Sequence, residues 1–177
     1  MVEVTLQHII GTVALIGLVI SAGLFYTIFT SFVQDDNIKK QLGQISENVA
    51  LNMEEMINLI KFSQFYPNCT AKIIDLPTDV GGRTYKIQLK DINQTFQVNA
   101  YLATQPTVST TSTIPYNSGD IRLETTETVY SLYNVGADNL TIACSGTIYG
   151  KPQTVIWVYP DSSSTGNFTI GIGWVKG

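Results

Sequence analysis

From Ile9 to Val33 the chain reads IIGTVALIGLVISAGLFYTIFTSFV, without a charged residue and without Pro. About 20 mostly apolar residues in a helix cross the hydrocarbon core of a bilayer, so this run predicts a transmembrane helix with some tilt. It does not read as a cleaved secretory signal. The residues before it include no Lys or Arg, and the apolar run continues well past the small residues Ser21, Ala22 and Gly23. Beyond Val33 the chain turns polar but does not break, with one Gly and no Pro from Gln34 to Phe65. Apolar residues recur at Ile38, Leu42, Ile45, Val49, Met53, Met56 and Ile60, in steps of three and four, which is the stripe of an amphipathic helix. The pattern predicts one helix over residues 1–65, with its span at about 9–33 and an amphipathic extension at 34–65, stopped by Pro67. At about 1.5 Å per residue it would run for roughly 90 Å. The stripe has two candidate partners, the rest of this chain and neighbouring subunits.

From Ala71 the period changes from helical to alternating. Thr84–Lys90 and Thr95–Leu102 alternate apolar and polar residues as half-buried strands do. Further strands are expected at Ala71–Leu76, Ile121–Leu123, Thr128–Val135, Leu140–Cys144, Thr154–Tyr159 and Phe168–Val175. Turns are expected at residues 79–83, 91–94, 136–139 and 161–166. Thr104–Gly119, low in charge and rich in Thr, Ser and Pro, reads as a long exposed loop. The fold class is therefore α+β: a long N-terminal helix, transmembrane then amphipathic, followed by an all-β, sandwich-like domain at 66–177.

Charge narrows the partners. The net charge is −4, and the ten basic residues are scattered, so no phosphate-binding patch forms and nucleic acid is not expected. Orientation is contested by two signals. The first basic residues, Lys39 and Lys40, follow the span, which mildly opposes an external C-terminal domain. Against this, four Asn-x-Thr sequons begin at Asn68, Asn93, Asn139 and Asn167, and such sequons accept glycans only outside the cytoplasm. The two cysteines, Cys69 and Cys144, lie in the same segment. In an oxidising compartment an even count suggests one disulfide, the alternative being two unrelated buried thiols. These signals together place the β-domain outside.

Within the span, Gly11, Ala14, Gly17 and Ser21 form a stripe of small residues that would let a second helix backbone approach closely; ordinary Gly and Ala content of membrane helices explains it equally well. His8, the one histidine, sits at the apolar border. A Ser-His-Asp set has no His in the β-domain, a His/Cys metal site lacks ligands, and Gly81-Gly82-Arg83 is too short for a phosphate-cradling loop. No enzyme activity, cofactor or metal is expected.

This outline of hydrophobic helix, amphipathic helix and Thr-rich β-domain with sequons resembles archaeal type IV pilin-like proteins, including archaellins and archaellum accessory proteins. The segment from His8 to Gly23 is the strongest local match. The resemblance implies that Ile9–Val33 joins a bundle of helices from copies of the chain or related subunits. It implies that the β-domain faces outward with glycans on the four Asn residues, and that Glu3 stands for the acidic residue many pilins carry near the mature N-terminus. Family precursors begin with a short basic leader, and no basic residue precedes the apolar run here, so either the start shown is not the precursor start or the protein is not processed. An unprocessed, non-polymerising anchored protein whose β-domain binds the cell envelope or a filament component is the alternative expectation.

Overall fold

A computed structural model describes residues 2–62, 70–93, 95–117, 121–125, 130–135, 140–151, 153–160 and 168–175. One helix, α1 (Val2–Phe62), is followed by ten strands among the described residues: β1 (Thr70–Ile74), β2 (Tyr85–Ile92), β3 (Thr95–Leu102), β4 (Ser109–Asn117), β5 (Ile121–Leu123), β6 (Tyr130–Val135), β7 (Leu140–Ser145), β8 (Thr147–Tyr149), β9 (Thr154–Pro160) and β10 (Phe168–Val175). The strands form two sheets, giving the α+β arrangement that the change of period predicts. One sheet has the order β1-β9-β10-β7-β6, with β5 parallel to β10, and the other has the order β4-β3-β2-β8.

The chain divides into two compact units, Met1–Asn37 and Ile38–Gly177. The first contains the apolar part of α1. The second contains both sheets together with the amphipathic part of the helix. All seven stripe residues from Ile38 to Ile60 are buried, in one cluster with Ile87, Leu89, Val98 and Ala100 of the four-stranded sheet and Ile156, Val158, Ile170 and Ile172 of the six-stranded one. The stripe thus builds the core of its own chain. Burying an aliphatic or Met side chain contributes about 1.5–3 kcal/mol. Seven of them contribute roughly 10–20 kcal/mol before the entropy of ordering is subtracted, a large term beside the net margin of about 5–15 kcal/mol by which a domain is stable.

The expected loop at 104–119 is a strand for most of its length, and this corrects the sequence reading. Thr favours the extended pleated backbone as other β-branched residues do. What concealed β4 is that its inward positions are mostly small and polar. Thr110 Oγ1 donates to the carbonyl of Lys39 at 3.2 Å, and the hydroxyls of Ser112 and Ser46 are 2.7 Å apart, with Ser46 fully buried. Here helix and strand approach too closely for large side chains. Pro115 is tolerated because β4 is an edge strand, and the register against β3 shifts near it, between Thr95 and Gln97. The short strand β8 also lies outside the expected set, and β2 continues through Asp91 and Ile92 into what was expected to be turn.

Candidate functional site

In Met1–Asn37 none of the described side chains is buried. From Ile9 to Val33 every residue is exposed except the half-buried Thr30, and Leu18, Phe25 and Phe32 are 69%, 72% and 72% exposed. The best window of the helix has a mean hydropathy of 2.2 and none of it is buried, so by length and composition it can cross a membrane. Four of its hydroxyls are satisfied within the helix. Thr12, Ser21, Thr27 and Thr30 donate to the carbonyls of His8, Gly17, Gly23 and Tyr26, each four residues back, at 2.7–2.9 Å. Such bonding satisfies these four hydroxyl donors in a medium without water. Phe25 and Phe29 stack with ring centres 6.4 Å apart. The expected small-residue stripe of Gly11, Ala14, Gly17 and Ser21 is exposed, and a Cβ added at Gly11 or Gly17 would meet nothing within 4 Å.

Of the four sequons, Asn93 is described. It is exposed at the turn between β2 and β3, with a left-handed φ of 52°, a conformation Asn adopts more readily than most residues. Asn68, Asn139 and Asn167 lie outside the described residues, as does Cys69. Cys144 is in β7, opposite Gly173 of β10 and Tyr130 of β6.

In the second unit an open groove of about 410 Å³ runs between Gln41, Gln44 and Asn48 of the helix and the loop from Leu76 to Val80. Asp79 in its wall is occupied structurally: its carboxylate accepts the Gly82 N–H at 3.1 Å, closing a turn with Gly81 and Gly82 at positive φ. Behind the loop, Tyr85 is fully buried and donates its hydroxyl to the Pro77 carbonyl at 2.6 Å. Burial, and secondarily the Asp79 charge, hold its phenol well above the usual tyrosine range. Its ring packs on Gly150, where a side chain would collide with it. These groups fix a loop and bring no acid, base and nucleophile together. Among the described residues no group of three His, Cys, Asp or Glu converges as a metal site would require.

Comparison with known proteins finds no matching family model, no matching curated protein and no matching solved structure.

Proposed function

We propose that this chain is a structural, non-catalytic subunit of a cell-surface filament. It assembles with copies of itself or related pilin-like subunits through Ile9–Val33. It displays the β-unit outside the cell membrane, with glycans on Asn68, Asn93, Asn139 and Asn167 and a disulfide between Cys69 and Cys144. The observation that carries this reading is the bare apolar surface of residues 9–33. Contiguous apolar surface of this extent is unstable in water, and lipid or a bundle of like helices covers it. The small stripe at Gly11, Ala14, Gly17 and Ser21 suits the bundle, because close backbone approach strengthens helix packing where no water drives it. The self-bonded hydroxyls suit both settings. A protein that is anchored without polymerising, and grips the envelope with its β-unit, is the second reading. The polar sheet face described below favours it.

Electron microscopy of membrane and sheared surface fractions tests the filament reading. Cells making the protein yield filaments containing it, and cells lacking it lose them. Filaments that persist in a deletion strain, with the protein monomeric in lipid, reject it. Mass spectrometry of the native protein tests the outward orientation, since Asn93 carries a glycan only if the β-unit leaves the cytoplasm.

A further inference from the structure

The four-stranded sheet gives one face to the core, and on the other the outward side chains of β2 and β3 are half-buried, except the exposed Ile92 at the end of β2. Register places Tyr149, Lys86 and Tyr101 in one row across the strands, Gln88 and Asn99 in the next, and Lys90 beyond them. The other described outward positions on β2, β3, β4 and β8 are Ser, Thr, Gln and Pro115, with Ile92 at the end of β2. The chain has 14 acidic residues and 10 basic ones. Two lysines occupy outward positions on these strands and no acid does; Asp91, exposed at the end of β2, falls in the opposite register. The side chains also brace one another. The Lys86 ammonium lies 4.7 Å from the centre of the Tyr149 ring. The Asn99 amide, oriented by its hydrogen bonds, accepts from Lys90 Nζ at 3.2 Å and donates to Thr111 Oγ1 at 3.3 Å. Strand spacing and two-residue repeat make the surface roughly 14 Å on a side.

Aromatic rings, primary amides and hydroxyls are the groups that recognise the C–H faces and hydroxyls of sugars, and the ammoniums add a preference for anionic ones. Other anionic partners fit less well. The face lacks the apolar centre of a protein interface, and two lysines fall short of the basic cluster that holds a domain to anionic lipid or nucleic acid. We propose that this face binds an acidic polysaccharide, one carrying carboxylate or sulfate groups on its rings. The biological setting rests on the β-unit lying outside the membrane, but binding by the purified protein does not. Failure of the topology and failure of this proposal are therefore separate results.

The test is affinity electrophoresis of the full chain in non-ionic detergent, through gels containing polygalacturonate or neutral dextran. The expected result is retardation by polygalacturonate about threefold greater than by dextran. It is abolished by K86E/K90E, reduced by Q88A/N99A, and weakened in about 0.5 M salt, where charges are screened within a few ångströms. Tryptophan fluorescence confirms that each variant is folded, and the salt dependence of the unaltered protein gives a readout independent of any substitution. Equal mobility in the two gels overturns the proposal. So does retardation that survives the double charge reversal, or Lys-dependent capture by anionic phospholipid vesicles without retardation by polygalacturonate.

Discussion

Tyr85 shows how a single polar group both fastens a loop and limits the conditions in which it stays fastened. Its hydroxyl has one partner described, the Pro77 carbonyl, and its ring is fully buried. Substitution Tyr85→Phe removes the bond and is expected to cost about 1 kcal/mol at neutral pH, read as a lower midpoint in urea. The pH dependence follows from linkage. In the unfolded chain this tyrosine ionises at its ordinary value of 10.0, whereas in the folded chain it holds its proton to a higher pH. Above pH 10 the unfolded state therefore binds fewer protons than the folded one, and stability falls as pH rises. The contribution is complete below pH 10 and is lost above it. Urea titrations at pH 8 and pH 11 should show the unaltered protein losing more stability than Tyr85→Phe. Parallel losses would show that Tyr85 titrates normally.

At the level of elements, the contact between α1 and β4 is decided by side-chain size. Gly43 lies in mid-helix, and a Cβ added there would rest 3.5 Å from Thr110 Cγ2, an ordinary contact. Gly in a helix interior is less favourable than Ala by about 0.5–1 kcal/mol. Gly43→Ala is therefore expected to stabilise the protein by about that amount, while Gly43→Leu, which has to displace β4, costs about 1–3 kcal/mol. Thermal unfolding followed by tryptophan fluorescence reads both, and the opposite signs are the diagnostic feature. The same contact explains which parts of the fold were legible in the sequence. The helix and strands such as β3 and β10 announce themselves because one face is apolar and the other polar, or because the run is apolar throughout. In β4 the inward row begins with Thr110 and Ser112 and reaches an apolar residue only at Ile114, so its alternation is invisible to a hydrophobicity pattern and its Thr content mimics a solvated loop. The outward face of the same sheet was legible only as spacing. Lys86, Gln88 and Lys90 are evident as alternate polar residues, but which strands lie beside them is a property of long-range register.

For the whole molecule, the instructive boundary is where the chain can be cut. A division by period falls near residue 65, where helix gives way to strands. The compact units instead divide at Asn37 and Ile38, because the amphipathic stripe supplies the β-unit with a wall of its core. A fragment beginning at Gln34 retains that stripe and sheds the bare apolar run. It is expected to be soluble without detergent and to unfold in one cooperative transition, with the buried Trp157, only 1% exposed, giving a blue-shifted emission that moves red on unfolding. A fragment beginning at Pro67 lacks seven buried side chains whose combined contribution rivals the stability of a domain. Its tryptophan emission should resemble that of the unfolded chain, with no transition in urea. Adding the separate helix 34–62 should restore the blue-shifted emission, since the stripe needs contact with the sheets and not covalent linkage. If the Pro67 fragment unfolds with the same midpoint as the longer one, the helix is an attachment to the core and not one of its walls.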